Sequence, residues 1–485
     1  MKVSEQQIET VERLEMTLQD ITDLMTPLKE YHAIFSPLLA RREQRDWMEF
    51  YLQGLLSPEM DRKSIEPMVL NIKGADENAV RAVQQFIGEG GWQDDVVRKR
   101  HWVEVNATLG EDDGVIPLDG SDFPKQGKES VGVKRQYCGE LGKRANCQAG
   151  VFVGYASTKG YTLLDARLYM PEMWFTEEFD ARRRKCRVPG GIHFQTKNEL
   201  AWEMIEAIAR EGTLRFRWIT CDEAFGCDTR LLDRIASLQR WYFAEVPKDT
   251  LVWSQRPETV MPLWSGRGRK PTRPVLATGQ PLRQEVRDIA ASLPMEDWSR
   301  HIIKEGSKGP IVADFAALRV INVRDGLPGG EVWLVLRRDI TTGEVKFYLS
   351  NAPVETELTT LVRISGMRWP IETCFEDGKQ LLGMGDYEVR SWPGWHHHMT
   401  LCILAHHFLV RLSRSIKKTL KLTLPQVVLL LTVVLPRRRV DFRTVVAVLD
   451  YRITHNEAAY QSHRRRRLKK LSSLCESRNK AHVSL

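Results

Sequence analysis

No hydrophobic run in the chain is long enough to cross a bilayer: the greasiest stretch lies between Pro425 and Pro436, whereas a spanning helix needs about 20 apolar residues. The N-terminus, MKVSEQQIET, has no signal-peptide core. The eight cysteines are scattered without a C-x-x-C pair, which excludes a zinc ribbon and a dense disulfide framework. These absences point to a protein of a reducing cytoplasm with no membrane partner. No period repeats along the chain, so a solenoid or propeller is not expected. Apolar residues make up 42% and charged residues 28%, with 22 Pro and 33 Gly, which excludes wholesale disorder and a collagen-like chain. What remains is a globular protein of 485 residues, roughly three folding units at about 150 residues each. Lys and Arg number 71 against 63 Asp and Glu, a net charge of +8. The excess is clustered, as in Arg437–Arg439 and Arg464–Arg467, so an acidic polymer is the natural partner.

The pattern of the chain divides it. Through residues 1–110 apolar side chains recur at helical spacing, first Ile8, Val11, Leu14, Leu18, Ile21, Met25 and Leu28, then Trp47, Tyr51 and Leu55. Pro58, Gly74 and Gly90-Gly91 cut this region into short helices, and a helical DNA-binding domain is expected. Residues 111–246 change rhythm. Val115 to Asp119, Cys147 to Ala156 and Tyr161 to Tyr169 read as strands, followed by a helix Lys197 to Glu211, a strand Leu214 to Asp222, a helix near Thr229 to Leu238 and a strand Trp241 to Val246. The order βββαβαβ is that of a mixed α/β domain. Residues 247–353 read as a β-rich insertion that begins with a loop holding Arg267, Arg269 and Lys270. Residues 354–415 bring a long helix from Glu357 through Trp369 to Leu382, then another helix, and residues 416–485 form a helical region ending in a mobile basic tail.

Phosphodiester chemistry commonly uses two divalent metals held by a few carboxylates from strand ends and one helix. Asp119 follows Val115-Ile116-Pro117-Leu118, and Asp222 ends the strand in which Leu214, Phe216, Trp218 and Thr220 alternate with their neighbours. An acid in such a place is more often a helix cap or turn residue. A third element adds weight: Arg368, Glu372, Glu376 and Lys379 fall at i, i+4, i+8 and i+11 and share one helix face. Taken alone, that face is an ordinary solvated ion-pair ladder.

The run Arg368-Trp369-Pro370-Ile371-Glu372, with Lys379 seven residues beyond the Glu, resembles the Tyr-x2-Arg-x3-Glu-x6-Lys signature of bacterial insertion-sequence transposases of the DDE type. Further segments are similar to the same group: Leu118 to Lys125, Ser130 to Val133 with Tyr137-Cys138-Gly139, and Trp395 to Met399. The resemblance extends over roughly residues 40 to 470, and it departs at the signature Tyr, which falls on Ser365. It implies an RNase H-like catalytic core interrupted by the β-rich insertion, with helical N-terminal and C-terminal regions. Asp119, Asp222 and Glu372 would then be the catalytic, metal-binding triad, with Mg²⁺ as cofactor and Mn²⁺ able to substitute. Arg368 and Lys379 would grip phosphates, and Trp369 would hold a distorted or flipped base. Partners would be double-stranded DNA, both the terminal inverted repeats and the target, with a homodimer forming on paired ends in the bacterial cytoplasm. Lys125 and the run Arg464, Arg465, Arg466 and Arg467 are further DNA-binding candidates.

Two alternatives sit within the motif: Asp122 competes with Asp119, and Glu376 with Glu372. Lys128, Lys134 and Arg135 are surface candidates for a DNA groove, as are Arg182 to Lys185. His396, His397, His398, His406 and His407 tempt a metal reading but lack a Cys or acid at ligand spacing, so a buried or DNA-facing helix is expected. Cys138, Cys147, Cys221 and Cys227 read as small core residues. The rival functions are an inactive DNA-binding relative and an RNase H-like nuclease without a joining step.

Overall fold

The computed structural model describes residues 10–11, 16–58, 60–264, 266–267, 269–306, 309–416, 422–438 and 441–482. Ile8, Leu14 and Arg439 lie outside them. The N-terminal region is helical, as its periodicity requires: α1 (Met25–Phe35), α2 (Arg42–Leu56), α3 (Ile65–Ile72), α4 (Glu77–Glu89) and α5 (Asp94–Leu109). The breaks fall at the punctuating residues. Asp76 caps α4 by accepting a hydrogen bond from the Ala79 N–H at 2.9 Å, and Gly74 takes a left-handed φ of +84° that favours glycine.

The α/β core follows. Its strands are β1 (Val115–Pro124), β2 (Lys143–Ser157), β3 (Gly160–Tyr169), β4 (Trp218–Cys221) and β5 (Trp241–Val246), with α6 (Lys197–Glu211) and α7 (Thr229–Ser237) between the later strands. β2 and β3 join through a tight turn at Gly160. The spatial order is β3-β2-β1-β4-β5; β1 and β4, and β4 and β5, are parallel, while β1–β2 and β2–β3 are antiparallel. This is the RNase H-like arrangement. α6 starts at a Thr196–Glu199 capping box and ends at Gly212 in the left-handed conformation, the start and stop signals of a helix.

The structure departs from the sequence pattern in four places. β1 does not end at Asp119 but runs to Pro124, because its antiparallel neighbour β2 continues to pair with it there. The strand ending at Asp222 is only Trp218–Cys221. The long helix from Glu357 is two helices, α8 (Leu358–Ser365) and α9 (Pro370–Leu382). Pro370 is the first residue of α9, where a missing N–H costs nothing, so it starts a helix instead of lying inside one. The basic tail is also ordered differently: Arg464 to Arg467 belong to a single helix, α12 (Phe442–His482), which follows α11 (Leu424–Leu431) and carries their side chains on its exposed surface.

The insertion does not form a separate layer. Its strands β6 (Gly309–Arg324), β7 (Leu327–Asp339) and β8 (Val345–Ser350) extend the core sheet, since β8 pairs with β5 and β7 and β6 follow in order. Among the described residues the sheet counts twelve strands. Helices cover both faces. Ile116, Leu118, Val151 and Val153 pack with α6 and α7 on one side, and Phe123 and Phe152 pack with α9 and α10 (Trp392–Ser415) on the other.

α10 is buried along almost its whole length and ties the N-terminal helices to the sheet. Its histidines are the fasteners. His397 meets the Ile87 carbonyl at 2.8 Å, His398 the Tyr51 hydroxyl at 2.8 Å, His407 the Tyr31 hydroxyl at 3.0 Å and His406 the Thr162 hydroxyl at 3.0 Å. Burial pushes His398 down to about 3, so it is a neutral hydrogen-bonding ring. With His396, which is buried on the Trp392 carbonyl of its own helix, all five histidines are enclosed by protein. Cys138, Cys147 and Cys221 are buried as expected, whereas Cys227 is exposed at the end of a short turn of helix.

Candidate functional site

The parallel pairing of β1, β4 and β5 sets Leu118 beside Cys221 and Cys221 beside Ala244. The next residue on each strand is acidic: Asp119, Asp222 and Glu245. Successive side chains alternate between faces, so the three acids stand in one row on the face covered by α9. α9 packs across β1, β2 and β3, anchored by Ile371, Cys374, Phe375 and Leu382, with the Phe375 and Phe152 rings 5.2 Å apart. That anchor points Glu372, on the half-buried edge of α9, back over the row.

Arg368 lies at the centre. Its Nη1 is 2.9 Å from Glu372 Oε1 and 3.5 Å from Asp119 Oδ2, and its Nε is 3.7 Å from Glu245 Oε2. Asp119 is pushed up to about 7, mainly by burial and then by the Asp222 charge, with Glu372 adding to the rise; the Gly120 N–H, which it accepts at 2.7 Å, and Arg368 oppose it. Like charges are therefore crowded here, and a cation is what relieves them. Among the described residues no three His, Cys, Asp or Glu side chains stand close enough to hold a metal as placed; the Arg368 guanidinium stands between the carboxylates. The donor set itself, oxygen-only and anionic, is the chemistry that a hard divalent cation takes.

The remaining candidates differ in how far the fold brings them to the acids. Trp369, next to Arg368 in the chain, is 57% exposed, and Asp222 accepts the Phe225 N–H as cap of the turn that follows. Lys379 is near the site but engaged, with the Asp122 carbonyl at 3.2 Å and Glu140 as ion-pair partner. Asp122 accepts the Gly139 N–H at 2.7 Å, Glu376 is exposed and bonded by Gln380, and Arg368 precedes the first residue of α9, so the four charges do not share one helix face although Arg368 and Glu372 pair. Lys125 is turned inward, 3.0 Å from the Tyr387 carbonyl and 3.4 Å from its ring centroid, and burial lowers it to about 8. Ser365 gives its hydroxyl to the Val362 carbonyl. Arg183 pairs with Asp180, and Lys185 with Glu129 at 2.5 Å. Lys128, Lys134, Arg135 and Arg464 to Arg467 are exposed.

Glu245 was not legible as a site residue. Its strand was, but nothing in Trp241-Tyr242-Phe243-Ala244-Glu245-Val246 marks the acid; only the register of three strands brings it level with Asp119 and Asp222.

Residues 34–310, more than half of the chain, match the family described as DDE superfamily endonuclease. The chain belongs to that DDE-type transposase and endonuclease family, and the RNase H-like sheet with its row of acids is the corresponding fold. No curated protein matches it. No helix among the described residues is long and apolar enough to cross a membrane.

Proposed function

We propose that this protein is an insertion-sequence transposase: it binds the inverted-repeat ends of its own element, cuts DNA with Mg²⁺ or Mn²⁺, and joins the freed 3′ ends to a target as a homodimer on paired ends. The observation that carries the reading is the convergence of Asp119, Asp222 and Glu372 from two parallel strands and one helix, with Asp119 held near 7 by burial and its neighbours. These three carboxylates would hold the metals. Bound there, two divalent cations would activate the attacking oxygen and stabilise the leaving one.

The chain's own residues account for the rest. Arg368 has a planar fork suited to a phosphate, and it would bind one with the terminal nitrogen that here meets Asp119 and Glu372. Trp369 offers an exposed ring on which an unstacked base would rest. Lys379 would meet a phosphate by exchanging Glu140 for it. Residues 1–110 would serve as the DNA-binding domain, and the exposed cations of α12 would add sequence-independent affinity. Lys125, buried against Tyr387, would act by holding the Tyr387 carbonyl in the segment that follows α9.

The family's description stops at endonuclease, and this favours as second reading a nuclease that cuts without joining. Incubating the protein with Mg²⁺, a labelled duplex carrying the inverted repeat that bounds its reading frame, and a supercoiled plasmid decides between them. Label covalently joined to plasmid is expected; cut ends that never join support the nuclease.

A further inference from the structure

The fourth acid of the cluster, Glu245, is 7% exposed and divides its two oxygens between two cations. Oε1 accepts from Lys346 Nζ at 2.8 Å, and Oε2 faces Arg368 Nε at 3.7 Å. Lys346 comes from β8, the insertion strand that pairs directly with β5, where Tyr348 lies opposite Glu245. A buried carboxylate needs a cation or hydrogen-bond donors, and Lys346 alone would meet that need. The second oxygen is left for the inner edge of the guanidinium, while the outer Nη1 reaches Asp119 and Glu372.

We infer that Glu245 is a positioning residue for Arg368. This rests on the proposed function: once a divalent cation takes Asp119 and Glu372, Glu245 is the acid that still holds Arg368. It fixes the Nε edge and leaves the two terminal nitrogens aimed at the phosphate to be cut. Glu245 is unsuited to ligating the metal itself, because both its oxygens are already directed at cations. The same contact joins the insertion to the core site, through Lys346.

A double-mutant cycle tests this, with binding to the end-containing duplex measured in Ca²⁺, where no turnover intervenes, and nicking measured in Mg²⁺. Glu245→Gln should weaken binding in Ca²⁺ by about tenfold and lower the slope of log affinity against log salt by about 0.9, one phosphate contact. Arg368→Ala should do the same, and adding Glu245→Gln to it should cost less than about twofold more. Glu245→Asp should recover part of the slope, and it carries the cycle if Glu245→Gln does not fold. Equal, multiplying losses in both backgrounds, or an unchanged salt slope, would overturn the positioning role and leave Glu245 as a partner of Lys346 only. Glu372→Ala separates the two levels: if it still nicks, the site reading has failed; if it is dead while the cycle multiplies, only the role of Glu245 has.

Discussion

Replacing Asp119 by Asn should make the metal-free protein more stable at alkaline pH, even as it removes the activity proposed for the site. Asp119 is held at about 7 against an ordinary 3.8, so the folded chain keeps its proton where the unfolded chain has lost it. A raised acid contributes stability that is complete below the unfolded value and is lost as pH climbs through the folded one. Three pH units at about 1.4 kcal/mol each give a loss of about 4 kcal/mol between pH 4 and 7, an upper bound. The side chain is only 17% exposed, so solvent removes little of it. Asn keeps an acceptor for the Gly120 N–H, and the Arg368 attraction it gives up is already counted in the shifted value. A net gain of up to about 4 kcal/mol is therefore expected near pH 8.5 and none near pH 4, where Asp119 is itself neutral. Urea denaturation of both proteins in chelator at the two pH values measures it, and millimolar Mg²⁺ should raise the wild type alone. A variant that is less stable near pH 8.5, or a gain that does not depend on pH, would refute the like-charge argument.

Glu372→Gln should abolish nicking, because an amide keeps the shape and loses the charge beside Arg368, whereas Glu376→Gln, on the exposed side of α9, should retain it; a gel assay with saturating protein reads both, and the reverse outcome would put the register wrong by one turn. Neutralising Arg464 to Arg467 should weaken binding to all DNA sequences alike. Four successive helical residues spread around the axis at 100° each, so about two face one DNA backbone and the salt slope should fall by about 2; an unchanged slope would assign the run to solvent. His398→Leu should cost about 1–3 kcal/mol by leaving the buried Tyr51 hydroxyl without its partner; thermal denaturation reads it, and a neutral result would remove the histidines' role as fasteners.

The elements that were legible were those with complete local signals. α6 has its capping box and terminal Gly212, β5 has an apolar run bounded by turns, and the N-terminal helices break where Pro and Gly stand. The misreadings were made by tertiary pairing. β1 continues beyond Asp119 because β2 pairs with it, and β6, within the segment read only as a β-rich insertion, takes its place in the sheet from its pairing with β7. Pro370 did carry a signal, as a helix-starting residue, and reading it so would have split α8 from α9. Asp119, Asp222 and Glu372 were reachable because each ends an apolar pattern or sits in a motif. Glu245 and its bond to Lys346 were not, since they depend on β8 of the insertion joining the sheet beside β5, an encounter between distant segments that neither segment announces.

In the proposed reaction Asp119, Asp222 and Glu372 act together through a divalent cation to cut DNA. Nicking of a duplex carrying the inverted repeat is measured for the wild type, Asp222→Ala and Glu372→Ala, with Mg²⁺ and with chelator. Cleavage is expected from the wild type alone and only in Mg²⁺, with both variants still binding the duplex because affinity comes from cationic contacts to phosphate. Wild-type cutting rates in either variant, or in chelator, would contradict it.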